Sequence, residues 1–416
     1  MSHATAPLSE VCSFRHGGTP SKGNASYWGG TIPWISPKDM KASVLTASQD
    51  TITEAGVSGS AASVVPEGSI LVVARSGILA HTLPVALAGR PLAFNQDIKA
   101  IQVTSEKVLG EYVYWFIRGR EHEVLTRGVK KGATVHSLQS GYLEGLDIPL
   151  VPLPEQRRIV DLLSRAENIV QMRREAEQKA KELIPALFLD MFGDPVTNPK
   201  DGEVVELRGH DEDRLEAQSV VRLGDVAEVV SGVAKGRKLV GKVTRETPYL
   251  RVANVQAGGL DLAEMKYIPA TADEIEELAV RVGDVLLTEG GDFDKVGRGA
   301  LLEADIGECI HQNHVFRVRT HADRVMPEYF AAYLQTSAAR QYFLKAAKKT
   351  SNLASINMTQ LRNLPLPLPP LEIQRDFQKN FRACRALGMQ QSEATGIADV
   401  SFQSLLARVF SEGQAT

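Results

Sequence analysis

Cysteine is scarce in this chain: Cys12, Cys309 and Cys384 are the only three in 416 residues. An odd, scattered set without short pair spacing excludes a disulfide framework and a cysteine zinc site. All three are expected to be buried, inert thiols. No run of about 18 apolar residues occurs, so no membrane span is expected, and the opening MSHATAPLSEV lacks the basic and apolar stretch of a signal peptide. The expected location is therefore the cytoplasm. An excess of one charge is missing too: 47 Lys and Arg face 50 Asp and Glu, for a net charge of −3. That excludes a generally basic surface but leaves room for local basic patches.

Catalytic signatures are also lacking. There is no GxxxxGK[ST] loop, no GxGxxG after a strand, no HExxH and no GxSxG. TNPK at 197–200 lacks the aromatic Asn/Asp-Pro-Pro motif of an amino-methyltransferase and reads as a loop. His311 and His314, near Cys309, have no further ligand to complete a metal set. No catalytic residue, metal or cofactor is expected. The chain reads as a binder and spacer.

What is present is repetition. LDIPLVPLPEQRRIV (146–160) returns as LPLPLPPLEIQRDF (364–377), with Gln156 and Gln374 218 positions apart. At the same offset Leu146 meets Leu364, Lys130-Lys131 meets Lys348-Lys349, and Phe192 meets Phe410. GEYV at Gly110 meets PEYF at Pro327 within one residue, LSEV at Leu8 answers LGDV at Leu223, and VPEGSILVVARSG answers VRVGDVLLTEGGD. Apolar runs such as SILVVA (69–74) and DVLLT (284–288), bounded by Gly and Pro, read as buried strands. EYVYWFIRG and EYFAAYLQT carry helical spacing and read as helices on a sheet. The fold class is α+β, with two α/β domains in tandem.

Each domain is followed by a long helix. Apolar residues recur at Ile159, Leu162, Ala166, Ile169, Ala176, Ala180, Leu183 and Leu187, the spacing of a coiled-coil seam. Pro154 and Glu155 suit the helix start and Gly193 its end. At 1.5 Å per residue this helix spans about 55 Å. Phe377, Cys384, Leu387, Ala394, Ala398 and Leu405 offer the second copy's seam, with Gly388 and Gly396 weakening its helicity. Pro185 is expected to kink the first helix or end it early. Two such helices, each short of a partner, are expected to pair as an antiparallel coiled coil. The expected boundaries are 1–152 for the first domain, 153–193 for the first helix, 194–369 for a linker and the second domain, and 370–412 for the second helix.

Basic residues cluster in loops despite the balanced total. KGRKLVGKVTR (235–245) holds Lys235, Arg237 and Lys238 with no acid. TRGVKKGATVHS and LKAAKKTSNLAS place paired lysines, Lys130-Lys131 and Lys348-Lys349, ahead of Thr134 and His136 in one copy and Asn352 in the other. Lysines of this kind hold phosphates, while Thr, Asn and His side chains reach base edges. A lysine pair is usually solvated surface, but its recurrence at one place in two diverged copies raises the binding reading. SKGNASYWGG (21–30) brings Lys22, Asn24 and Tyr27, suited to a groove or to a packed aromatic turn. Lys38, Arg75, Arg251 and Asn254 complete the candidate set. The amides of NQD (95–97) and QNH (312–314) suit buried polar turns better than adenine contacts.

The twin proline motifs at helix entrances, Pro152 to Arg157 foremost, together with LFLDMFGDPVTNP (187–199), resemble the specificity subunit of a type I restriction-modification system. The second copy departs in having Glu372 and Ile373 where the first has Pro154 and Glu155. The resemblance covers essentially the whole chain. It implies that each globular part is a target recognition domain reading one half of a bipartite, asymmetric site in double-stranded DNA, and that the long helices are a ruler between the halves. It further implies a chain without catalytic residues that binds two modification subunits, which supply S-adenosylmethionine-dependent adenine methylation. Restriction subunits then join through the complex, bringing ATP-driven translocation and cleavage. The alternative is a duplicated protein-binding scaffold without DNA readout.

Overall fold

The structure is a computed structural model that describes residues 3–193, 219–291, 295–349 and 354–411. It divides into two compact units, residues 1–175 with 393–416, and residues 176–392. The first long helix is Leu153–Phe192 and the second is Leu371–Ser411. Each unit thus holds the opening stretch of one long helix and the closing stretch of the other.

In the first unit the wholly buried strand Ile70–Val73 lies at the centre of a five-stranded sheet. The order is Cys12–His16, Ile98–Val103, Ile70–Val73, Val85–Ala88, Val44–Leu45. A second sheet runs Asp50–Ile52, Trp28–Ile35, Leu92–Phe94, Val64–Val65. Helix Gly110–Gly119 buries every residue from Tyr112 to Ile117. A helix apolar all round needs cover on more than one side, and the closing stretch of the second long helix provides it. Phe402 meets Trp115 at 5.9 Å between ring centroids, and Phe410 meets both Tyr112 and Phe116 at 5.7 Å.

The second unit repeats the plan with a sheet ordered Ala227–Ser231, Val315–Thr320, Val285–Thr288, Gly299–Leu301. A smaller sheet is ordered Lys266–Ala270, Arg245–Leu250, Ile310–His311. Its helix Pro327–Tyr333 is covered by the closing stretch of the first long helix: Phe192 and Phe188 lie 4.9 and 5.6 Å from Tyr329.

The repeated proline motif has a structural explanation. Strand Thr5–Pro7 pairs with Asp147–Pro149, and Ser219–Arg222 pairs with Pro365–Leu368, so in each copy the chain start is stitched to the strand just before the long helix. A two-stranded ribbon has free edges, where proline's missing N–H is tolerated. The glutamine that follows is completely buried in both copies. Gln156 Oε1 accepts from Leu109 N at 2.9 Å, and its Nε2 donates to Lys107 O at 2.7 Å and Val151 O at 2.8 Å. Gln374 repeats this with Met326 N at 2.9 Å, Arg324 O at 3.1 Å and Pro369 O at 2.8 Å. One amide thereby ties the long helix to the residue that precedes helix Gly110–Gly119 or Pro327–Tyr333.

The buried stripe of the first long helix differs from the expected seam. Leu162, Ile169 and Leu183 are exposed, while Leu163 and Val170 are buried and Ile184 is partly buried. Adjacent apolar pairs satisfy the same spacing, so periodicity alone leaves two registers open, and packing against the sheet domain selects one. The stripe then runs Gln156, Ile159, Leu163, Ala166, Val170, at alternating steps of three and four residues. Pro185 does not end the helix early: the helix continues to Phe192, and burial of Phe188 and Phe192 stabilises the last turns. The second long helix likewise runs through Gly388 and Gly396. Inside the first unit, Arg174 meets Asp399 at 2.7 Å and Thr395 Oγ1 donates to Arg173 O at 3.3 Å.

Burial pushes the Cys12 and Cys309 thiols up to about 12, as suits inert thiols, whereas Cys384 is only half-buried, against expectation. His311 is fully buried, its Nδ1 2.7 Å from Val315 O. Burial, with Arg317 acting in the same direction, holds its pKa down at about 4. Among the described residues no group of three His, Cys, Asp or Glu side chains could hold a metal ion. An unfolded histidine protonates near pH ~6.5, so between that pH and about 4 the unfolded chain binds more protons than the folded one. Stability of the second unit is therefore expected to fall on acidification through that window, by about 3 kcal/mol at ~1.36 kcal/mol per pH unit. Urea unfolding at pH 7 and pH 4.5 checks this, and His311→Leu is expected to remove that part of the slope.

Candidate nucleic-acid interface

The lysine pair of the first copy sits on a three-stranded ribbon ordered Val129–Lys130, His136–Leu138, Arg75–Ser76. Lys130 lies opposite Ser137, and Ser137 lies opposite Arg75. Directly paired residues project from the same face of a sheet, so Lys130, Ser137 and Arg75 form one transverse row. Val129 and Leu138, on the opposite face, are buried in the core. The row faces outward, with Lys130, Lys131, Thr134 and Arg75 exposed. His136 Nδ1 accepts from Gly132 N at 3.2 Å and closes the hairpin.

The second copy builds the same ribbon from Lys348–Lys349, Ala354–Ser355 and Gly290–Gly291, in the same order. Lys348 lies opposite Ser355, and Ser355 opposite Gly290. Lysine and serine are retained, whereas Arg75 is answered by Gly290 and His136 by Ala354. Asn352 lies outside the described residues.

Behind each ribbon is a polar turn. In the first copy, Asp97 O accepts from Ala74 N and Arg75 N at 2.7 and 3.1 Å, and the Arg75 guanidinium meets the Asp97 carboxylate at 3.2 Å. Asn95, buried, braces Asp97 through two hydrogen bonds of 3.0 and 3.2 Å. Thr19 Oγ1 donates to Gln96 at 2.5 Å and ties the 17–24 loop to the same turn. In the second copy His314 and Glu289 pair at 2.5 Å, and Ile356 N donates to Glu289 O at 2.8 Å. The supporting residue Asp97 and the serines of the two rows were not singled out from sequence. Strand register reveals the serines, and the fold brings Asp97, within the NQD turn expected to be buried and polar, beneath Arg75.

Other candidates are used locally. Asn24 accepts from Ser26 N at 3.1 Å as a cap, and Tyr27 packs over Gly59, where a Cβ would meet its hydroxyl at 2.4 Å; the stretch is a packed aromatic turn with Lys22 exposed. Lys38 is exposed and 3.9 Å from Asp50. Asn254 is withdrawn from any groove: it is buried, donating to Asp261 O at 2.8 Å and Glu264 O at 3.1 Å. Arg251 is half-buried, 3.6 Å from Glu264. Arg237 grips Glu274 at 2.6 and 2.9 Å and Pro269 O at 2.6 Å, and this guanidinium holds the Glu274 carboxyl down at about 2. With all its donor edges occupied, Arg237 shapes its loop instead of offering a free cation. Lys235, 5.8 Å from the Tyr249 ring centroid, and Lys238 remain exposed.

Residues 4–182 and 216–385 match the family described as type I restriction modification DNA specificity domain. The chain belongs to that family. A type I restriction enzyme specificity subunit of Escherichia coli is 38% identical over 181 residues, covering 42% of this chain and 45% of the relative. The MjaIX specificity subunit of Methanocaldococcus jannaschii is 28% identical over 247 residues, covering 58% of this chain and 55% of the relative. The chain thus spans about half the length of these relatives. Two solved structures share the fold over nearly their whole lengths. The type I restriction-modification S subunit of M. genitalium has 13% identity and TM-score 0.53, with 98% and 96% of the two chains covered. A chain solved in work on complex assembly and conformational transition of the type I R-M system has 19% identity and TM-score 0.59, with 98% and 97% covered. The two matched stretches of this DNA specificity family correspond to the duplication, one ribbon in each.

Lys130→Ala and Lys348→Ala are each expected to weaken DNA binding about equally for all sequences and to lower the slope of log affinity against log salt by ~1. Filter binding over a salt series checks this. An unchanged slope would remove phosphate contact from these positions.

Proposed function

We propose that this chain is the DNA-recognition subunit of a type I restriction-modification complex. Domains 1–152 and 194–369 each read one half of a bipartite, asymmetric DNA site through the major groove. The helices 153–193 and 370–412 pair as an antiparallel coiled coil and set the gap between the halves. The observation that carries this reading is the pair of ribbons, alike in strand order and in their lysine and serine, unlike at Arg75 and Gly290. A common scaffold with divergent side chains suits two reading heads for two different half-sites. A protein scaffold without DNA readout leaves the exposed Lys130, Lys131 and Lys348 unexplained.

On this reading the chain is not an enzyme and acts in the cytoplasm. Two modification subunits supply adenine methylation, and restriction subunits supply translocation and cleavage. The exposed apolar residues of the first long helix, Leu162, Ile169 and Met172, suit a helical partner face. Among the described residues no helix is long and apolar enough to cross a membrane. Removing one heptad from each long helix shortens a coiled coil by about 10 Å, or roughly three base pairs at ~3.4 Å each. Selection of bound duplexes is expected to return the same half-sites with a gap shorter by that amount. Altered half-sites with an unchanged gap would refute the ruler.

A further inference from the structure

We propose that Arg75 reads a guanine in the half-site bound by the first repeat, and that the second repeat, with Gly290 at that place, reads no base there. This rests on the DNA-recognition reading above and assigns a specificity-determining residue within it. The Arg75 side chain is 63% exposed, yet its Nε is held 3.2 Å from the Asp97 carboxylate, which is only 22% exposed. Asp97 is fixed by Asn95 and by backbone bonds from Ala74 and Arg75. With an ion pair but no hydrogen bond between its inner edge and Asp97 Oδ1, the guanidinium keeps its two terminal nitrogens for a target. Two parallel donors match the O6 and N7 acceptors that guanine presents in the major groove, whereas adenine sets a donor against one of them.

The geometry of the row agrees with this division of labour. Lys130 stands two strands from Arg75 across Ser137, and at ~4.8 Å per strand that is about 10 Å. A major groove about 12 Å wide and about 8.5 Å deep places its phosphate walls roughly that far from a base edge at the floor. One end of the row then meets a base while the other meets the backbone. In the second repeat Lys348 and Ser355 keep the phosphate end. At Gly290 an added Cβ would lie 2.6 Å from Ala354 O and 3.0 Å from Ser355 Cβ, so the backbone there leaves no room for a reading side chain.

The test is selection from a random duplex pool by the full chain in complex with its modification subunits, comparing wild type with Arg75→Ala, Arg75→Lys and Lys130→Ala. The expected result is a guanine preference at one position of one half-site, lost ~10- to 100-fold in Arg75→Ala. Arg75→Lys, which keeps the charge without the fork, should relax that same position while retaining the salt slope. Lys130→Ala should weaken all sequences alike. If both Arg75 variants keep every base preference and lose only overall affinity, Arg75 is a phosphate contact and the assignment is overturned, with the DNA-recognition reading intact. If wild type selects no sequence, that reading itself fails.

Discussion

Gln156→Ala is expected to destabilise the first unit by about 3 kcal/mol or more, and Gln374→Ala the second by a similar amount. Each removes a side-chain partner shared by three backbone groups clustered around a fully buried amide: one N–H and two carbonyls. A buried backbone group left unpaired costs ~1–3 kcal/mol, and the lost side-chain volume adds to that. At ~2–4 °C per kcal/mol for units of this size, the melting transition of the affected unit should drop by roughly 10 °C. Gln→Glu should be nearly as harmful, since a carboxylate cannot donate to the two carbonyls. Amide hydrogen exchange locates the effect: protection is expected to fall around residues 107–119 for Gln156 and around 324–333 for Gln374, each without the other. A loss below ~1 kcal/mol would mean that water replaces the amide and that the repeated motif has another purpose.

Truncation after Ser392 is expected to cost more still, and in an unexpected place. It leaves the second repeat's sheet domain and its helix entrance intact but strips Phe402, Leu406 and Phe410 from the first unit. Burying a large apolar side chain is worth ~1.5–3 kcal/mol, so three amount to about 5–9 kcal/mol, comparable with the whole stability of a domain. Tyr112, Trp115 and Phe116 would be uncovered at the same time. Limited proteolysis should therefore cut residues 1–175 rapidly while 219–392 resists. Phe410→Ala alone should cost the first unit ~3–5 kcal/mol. Equal resistance of the two units after truncation would contradict this packing.

How much of this was legible in the sequence follows from which forces act locally. The duplication, the buried strands Ile70–Val73 and Val285–Thr288 and both long helices are visible because apolar periodicity and Gly/Pro punctuation record secondary structure directly. The helix register was not, since Leu162-Leu163 and Ile169-Val170 fit either choice until a sheet packs against them. Pro185 shows the reverse: its local cost to the helix is real, but tertiary burial of Phe188 and Phe192 carries the helix past it, so the early end does not occur. At the candidate interface, lysine recurrence pointed to Lys130 and Lys348, yet the row joining Lys130 to Arg75 depends on a pairing across 60 to 62 residues that no local pattern encodes. Arg237 and Asn254 looked like free polar groups because their partners, Glu274 and the Asp261–Glu264 turn, declare themselves only in three dimensions.

The central claim is that two unlike reading heads act at a set distance along one duplex. Sequencing of methylated adenines in cells carrying the complete system tests it most directly. The account predicts two short, different blocks of specified bases separated by a gap of constant length, with a guanine in only one block lost on Arg75→Ala. A single uninterrupted recognition sequence, or two blocks whose separation varies freely, would contradict it.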